Sequence, residues 1–230
     1  MVRQVILHET DSTNRVAKEL AREGAPHGSW VLAHRQTAGR GRLDRSFFSP
    51  EGGLYCSVIL RPSIPMEDWA LLTPMAATAV RRAVHDATGI QLDIKWVNDL
   101  YLSGKKVCGI LCEAAGDAVI VGIGLNLRAP EGGFPPEINA AALEVPCVPE
   151  TLAAHITQQL CKGCEDLHLG RVPEEYRIHN LVCGRPLTVC PIGGEPYPAC
   201  GKYIDCRGRL IVDTAEGEKT LDSGEVSIRF

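Results

Sequence analysis

Apolar and polar positions follow two different periods along this chain. Residues 2–8 alternate and read as a strand, while Trp30 to His34 and Leu54 to Leu60 are apolar runs of strand length. Between the first two, Val16, Ala17, Leu20 and Ala21 fall on one face of a helix over Asn14–Glu23, with Ser12 at its N-cap and Gly24 at C′. A second helix is expected to open with Thr73 as N-cap and Pro74 at N1, to run to about Thr88 and to stop at Gly89. Leu92 to Val97 is a further strand. Strand-like runs around Leu100–Leu102, Lys106–Ala115 and Ala118–Leu125 follow, joined by the turn pairs Ser103-Gly104 and Gly116-Asp117.

The later pattern is different. Residues 129–149 are rich in Pro and Gly and predict an irregular connection. A helix over Thr151–Leu169 and a short one near Pro173–Ile178 come next. From about Cys183, short strands alternate with turns: Pro186–Pro191, Pro198–Asp205, Leu210–Thr214, Lys219–Leu221 and Val226–Phe230. The meander implies an α+β fold, a mixed and largely antiparallel sheet packed with helices. The tail suits a small appended β-barrel. The expected division is residues 1–180 and residues 184–230.

Composition narrows the function classes. The chain has 230 residues, 45% hydrophobic and 23% charged, enough for one core plus a small appendage. Its formal net charge of −4 argues against a dedicated nucleic-acid binder. No apolar run reaches the roughly 18 residues of a membrane span, and the N-terminus has no signal-peptide pattern. A cytoplasmic protein with no DNA and no membrane partner is expected. Ten cysteines are scattered, several inside apolar runs. The Cys161-Lys162-Gly163-Cys164 pair has no second pair at zinc spacing, so reduced thiols are the default reading.

Four segments carry possible chemistry. The loop Gln36–Gly53 holds Gly39-Arg40-Gly41-Arg42-Leu43-Asp44-Arg45, and residues 34–45 place four Arg against one Asp. Glycines let backbone N–H groups approach an anion, and guanidinium forks grip phosphate or carboxylate. The same composition also suits a solvated loop with salt bridges. Lys95-Trp96-Val97-Asn98-Asp99 is either a plain turn or a strand end facing a ligand. Lys105-Lys106-Val107-Cys108-Gly109-Ile110 puts two lysines at a hairpin tip, where they are solvated unless one turns inward. Gly122-Ile123-Gly124-Leu125-Asn126 places glycines inside a strand, which suits a bulge, a helix crossing or a flat ligand passing close by.

Singly these segments decide little; their order and spacing are more specific. Asp11-Ser12-Thr13-Asn14, Gln36 to Arg42, Ser49-Pro50, Leu54 to Ser57, Lys95 to Leu100, Lys106 to Glu113 and Val121 to Asn126 together closely resemble the catalytic domain of biotin–protein ligases. The resemblance is strong over residues 5–130. It extends to the tail Ser223-Gly224-Glu225-Val226-Ser227-Ile228-Arg229, which looks like the family's C-terminal SH3-like barrel. The fold it implies is like that of class II aminoacyl-tRNA synthetases and biotin ligases.

The resemblance implies an ATP-dependent, AMP-forming ligase with biotin and ATP as substrates and Mg2+ accompanying ATP. Ser12, Thr13 and Gln36 would bind the ureido end of biotin, whose apolar part would lie near Gly109 and Gly122. Gly39 and Arg40 belong to the biotin loop. Arg40, Arg42 and Arg45 would face the phosphates, Lys106 would sit beside the carboxylate and α-phosphate, and Arg42 and Lys106 would be catalytic. Asn98 and Asp99 would lie by the nucleotide and its metal, and Asn126 by adenine.

The partner implied is a biotin carboxyl carrier domain of a biotin-dependent carboxylase. A homodimer is left open. Asp44 stands where many members have glycine, and Phe47 where many have Trp. The family's strand begins by residue 5, so an N-terminal DNA-binding domain and repressor function are not expected. The alternatives are a lipoate ligase-like acyl-adenylating enzyme and a non-catalytic sensor of biotin or its adenylate.

Overall fold

The structure, a computed structural model, describes residues 1–43, 45–167, 170–222 and 226–229, with the backbone alone at 226, 227 and 229. Asp44, His168, Leu169, residues 223–225 and Phe230 lie outside the described residues.

Seven strands form one sheet: β1 (Gln4–Thr10), β2 (Trp30–Gln36), β3 (Gly53–Leu60), β4 (Asp93–Lys95), β5 (Asp99–Leu102), β6 (Lys105–Ala115) and β7 (Ala118–Asn126). Their order is β1-β2-β3-β7-β6-β5-β4. Only the β1–β2 pair of this sheet is parallel. The helix α1 (Thr13–Arg22) is the connection that makes that pairing feasible, because parallel neighbours need a crossover.

Alternation along the strands sorts the two faces. Leu54, Cys56, Val58 and Leu60 of β3 and Val119, Val121, Ile123 and Leu125 of β7 join the large core. That core also takes in α2 (Leu72–Thr88) and α3 (Pro149–Asp166). Ile59 and Ile120 point the other way, to a smaller cluster with Ala17 and Ala21 of α1. Period-2 geometry then puts Tyr55, Ser57, Gly122 and Gly124 on that second face too. Beyond the end of α1, this face becomes the floor of a pocket.

The start of α2 corrects one expectation. A 3-10 helix over Met66–Leu71 runs straight into α2, so its N-cap position is Leu71 and not Thr73. Pro74 still sits in the first turn, where its missing N–H leaves no helical bond unmade. Gly89 ends α2 with φ +74°, as expected of a C-cap glycine. The two hairpin turns are also as read, with Ser103 (φ 50°) and Gly104 (φ 80°) both left-handed. β4 is shorter than the expected strand, because residues 96–98 form the turn into β5.

After the short helix α4 (Glu174–Ile178), five strands form a separate antiparallel sheet. They are β8 (Pro186–Pro191), β9 (Tyr197–Ile204), β10 (Leu210–Thr214), β11 (Gly217–Leu221) and β12 (Val226–Arg229), in the order β11-β10-β9-β8-β12. This is the small SH3-like unit. Its Leu187, Val189, Ile204, Leu210, Val212 and Ile228 share the large core with the seven-stranded sheet. All ten cysteines are free thiols, and no group of three or more metal-ligating side chains occurs among the described residues.

Candidate active site

The pocket lies over β6 and β7 and is bounded by the N-terminus of α1, the loop after β2, the β4–β5 turn and Ile228 of β12. Its floor is explained by strand register. Gly109 faces Gly124 directly, and Tyr55 faces Gly124 from the other side; Leu111, Gly122 and Ser57 form the next row. Three glycines in adjoining rows strip the sheet surface of side chains.

What covers the bare rows differs between them. A Cβ on Gly124 would lie 2.3 Å from Cε1 of Phe47, and one on Gly109 would lie 2.8 Å from Cε2 of the same ring. The Phe47 ring therefore packs directly on the first row, edge-to-face with Tyr55 at 6.5 Å between centroids. A Cβ on Gly122 would lie 2.2 Å from Oδ1 of Asn14, so that glycine makes room for the start of α1.

At the α1 end the pocket is polar and tightly wired. Ser12 has the extended backbone of an N-cap, but its side chain makes no capping bond and lines the pocket. Gln36 Oε1 accepts from the backbone N–H of Thr13 at 2.8 Å and from its hydroxyl at 3.1 Å. Gln36 Nε2 donates to Ser49 Oγ at 3.0 Å. Ser57, fully buried, donates to Asn14 Oδ1 at 2.6 Å. Asn14 Nδ2 in turn donates to Glu113 at 2.6 Å, and Glu113 also pairs with Lys18 at 2.6 Å and Arg40 at 3.5 Å.

The opposite end is cationic. Lys95, Lys106, Arg42 and Arg45 line it around Asp99. Lys106 Nζ lies 2.7 Å from Asp99 Oδ1, an ion pair without the alignment of a hydrogen bond. The same ammonium sits 5.6 Å from the centre of the Phe47 ring. Burial pushes the Arg42 guanidinium below its ordinary pKa, with Asp99 opposing. Burial lowers Lys95 likewise, helped by the nearby charges of Lys106 and Arg45. These groups repel one another and are partly desolvated, and opposite charge placed among them would favour their charged forms. Arg42 also donates to Asn98 Oδ1 at 3.4 Å.

The loop that brings the arginines is folded on itself. Gly41 N–H donates to Arg45 O at 2.7 Å, Phe47 N–H donates to Gly39 O at 2.9 Å, and Arg40 bridges Ser46. Leu43, at φ 55°, makes the turn.

Of the expected site residues, Ser12, Thr13, Gln36, Arg40, Arg42, Arg45, Asn98, Asp99, Lys106, Gly109 and Gly122 line this one pocket. Gly39 and Asn126 do not. Gly39 is packed against its own loop, where a Cβ would meet Ser49 Oγ at 2.4 Å. Asn126 is buried and its amide donates to Ala141 O at 2.9 Å, tying β7 to the connection that follows. Sequence reasoning assigned no role to Lys95, Trp96, Asn14 or Ile228, all of which line the pocket. The first three lie within the segments already singled out. Ile228 lies in the tail segment, which the resemblance assigned to the barrel and not to the pocket.

Comparison with known proteins agrees with this geometry. Residues 7–127 match the biotin/lipoate A/B protein ligase family, and residues 204–229 match the biotin protein ligase C-terminal domain. The bifunctional ligase/repressor BirA of Bacillus subtilis is 36% identical over 245 residues, which cover 99% of this chain and 75% of that protein. The biotin–[acetyl-CoA-carboxylase] ligase of Mycobacterium tuberculosis is 29% identical over 231 residues, 96% of this chain and 87% of that one. The biotin protein ligase from Aquifex aeolicus, solved in complex with biotin and ATP, superposes with a TM-score of 0.85 at 29% identity, covering 100% of this chain and 99% of the other. A pocket polar at one end, floored by glycines in the middle and cationic at the other thus sits in a chain that belongs to the biotin/lipoate A/B protein ligase family and is a biotin–protein ligase.

Proposed function

We propose that this pocket forms biotinyl-5′-AMP from biotin and ATP and then passes biotin to a lysine of a biotin carboxyl carrier domain of a biotin-dependent carboxylase. The observation that carries the reading is the polarity of the pocket, with the Ser12–Thr13–Gln36 cluster at one end and Lys106, Arg42, Arg45 and Lys95 at the other. A fused bicyclic urea with an anionic tail matches that order. Its ureido group meets the hydrogen-bonding cluster, its rings lie near Gly109 and Gly122 once the Phe47 ring that packs on Gly109 and Gly124 has moved aside, and its carboxylate reaches Lys106.

In the first step a carboxylate oxygen attacks the α-phosphorus of ATP, and the bond to pyrophosphate breaks. Every reacting group is anionic, so positioning and fixed positive charge do most of the catalysis. Lys106 neutralises charge between carboxylate and α-phosphate, and Arg42 faces the phosphates, with Arg40 and Arg45 on the same loop. In the second step the neutral amine of the carrier lysine attacks the acyl carbon, AMP departs and the amine loses its proton. The loop over the pocket keeps water from the mixed anhydride.

The donor set fits a Mg2+ that arrives with the nucleotide. Asp99 offers a carboxylate at the cationic end, and the described residues contain no three-ligand cluster to hold a resident ion. Bound there, the ion would neutralise the triphosphate. Asn126, at the end of β7, is read as facing the adenine edge. The division into a catalytic unit over residues 1–180 and an SH3-like unit over residues 184–230 belongs to the same reading, as does a carrier partner in the cytoplasm.

Incubation with ATP, Mg2+, a carrier domain and labelled biotin or labelled lipoate tests the proposal. Label from biotin should appear on the carrier lysine, with none from lipoate. Biotin retained on the ligase without transfer would favour a sensor, and absence of any biotin adenylate would overturn the reading.

A further inference from the structure

The β4–β5 turn carries Asn98 and leads into Asp99, so its position sets the cationic end of the pocket. It is clamped from the pocket side by β6: Asn98 Nδ2 donates to Ile110 O at 2.8 Å, and Ile110 N–H donates to Asn98 O at 2.9 Å. A second clamp grips it from behind. The backbone N–H of Trp96 donates to Asn180 Oδ1 at 3.1 Å, and the Tyr176 hydroxyl donates to Val97 O at 2.9 Å. Asn180 is 6% exposed and Tyr176 wholly buried, so neither bond has water in reserve.

The neighbouring backbone joins in. Ile94 N–H donates to His179 O at 2.9 Å, and Leu181 N–H donates to Ile94 O at 2.7 Å. Residues 179–181, directly after α4, therefore make a short parallel bridge to β4, although they sit where the sequence placed the end of the first unit.

Resting on the adenylation reading above, we infer that Asn180 and Tyr176 are positioning residues for the nucleotide end of the site. They act through the turn: it places Asn98 and Asp99, Asp99 holds Lys106 at 2.7 Å, and Asn98 meets Arg42. Loss of the rear clamp leaves the buried N–H of Trp96 and the carbonyl of Val97 without partners and lets the turn move. A shift of about 1 Å in such a group costs on the order of 100-fold in rate. The biotin end is wired separately through Thr13, Gln36, Ser49, Ser57 and Asn14. Among the described residues, that network shares no hydrogen bond with residues 176–181.

The test measures pyrophosphate release against ATP concentration, and biotin binding by calorimetry, in the unaltered protein and in Asn180→Ala, Asn180→Asp and Tyr176→Phe. Asn180→Ala should lower kcat/KM for ATP by roughly 10- to 100-fold, and Tyr176→Phe by roughly tenfold. Asn180→Asp keeps the Oδ1 acceptor but loses the Nδ2 donor to Tyr176 O and buries a charge, so it should recover only part of the loss. The biotin Kd should stay within about twofold throughout, as for a separate network. Parallel losses of biotin affinity and ATP turnover, or normal turnover in both Asn180→Ala and Tyr176→Phe, would overturn the inference. Tyr176→Phe alters a single hydroxyl and decides the matter if Asn180→Ala does not fold. If the unaltered protein releases no pyrophosphate, the functional reading itself fails, which is a separate outcome.

Discussion

Lys106 is held by Asp99 at 2.7 Å and by the face of Phe47, and its side chain is still 29% exposed. That placement leaves the ammonium accessible from the pocket it lines. Lys106→Ala should reduce pyrophosphate formation by about 100- to 1000-fold, the scale of losing one preorganised electrostatic group. The thermal midpoint should change little, because the lost contacts are at the surface of a pocket. Near-normal adenylation by that variant would show that another cation, such as Lys95, does the work. The pair Lys105-Lys106 illustrates what residue identity alone leaves open. Both lysines sit at a hairpin start, yet Lys105 is exposed and Lys106 turns to Asp99. The register of β5 against β6 makes that choice, and it shifts between Leu100 and Tyr101. Asn126 is a second case: its Nδ2 donates to Ala141 O and ties β7 to the connection that follows, a bond its local sequence does not signal.

At the scale of elements, Glu113 joins three parts of the site. It sits on β6 and meets Asn14 and Lys18 of α1 and Arg40 of the loop. Burial pushes its carboxyl up, but the hydrogen bonds from Lys18 and Asn14 outweigh that and hold it below the usual range. A depressed folded-state pKa contributes stability that is complete above the unfolded value, about 4.3, and is lost as pH falls through the folded one. From about pH 5 downward, the unaltered protein should therefore lose unfolding free energy faster than Glu113→Gln. Urea midpoints across that range check this, and identical pH slopes in the two proteins would contradict it. Much at this scale was legible beforehand, because alternation, turn pairs and glycine stops are local signals. The Thr73 cap was not, since the 3-10 helix before α2 displaced a locally reasonable start. The division of labour among floor glycines was hidden too. Gly109 and Gly124 lie under Phe47 while Gly122 lies under Asn14, and only the pairing of β3, β6 and β7 separates these cases.

At the scale of the whole molecule, the two sheets share one core and the indole N–H of Trp96 donates to Gly208 O at 2.9 Å across the junction. Arg207 pairs with Asp68 over the same boundary at 2.6 Å. Units joined this way should unfold together. Tryptophan fluorescence and far-ultraviolet circular dichroism should report one coincident denaturant transition, and two separated transitions would show that the SH3-like unit is independent. The sequence by itself determined the α+β class, the change of pattern near residue 183 and the order of the ligase segments, because these depend on periodicity, turn chemistry and spacing along the chain. The tertiary structure decided which lysine faces Asp99, which glycines lie under Phe47 and which under Asn14, and that Ile228 and the segment at 176–181 belong to the site's surroundings. Those facts rest on contacts between residues from 80 to more than 100 positions apart in some cases, such as Trp96 with Asn180 at a separation of 84 and with Gly208 at 112. Such contacts follow from how sheets and helices pack, and no local pattern in the chain encodes them.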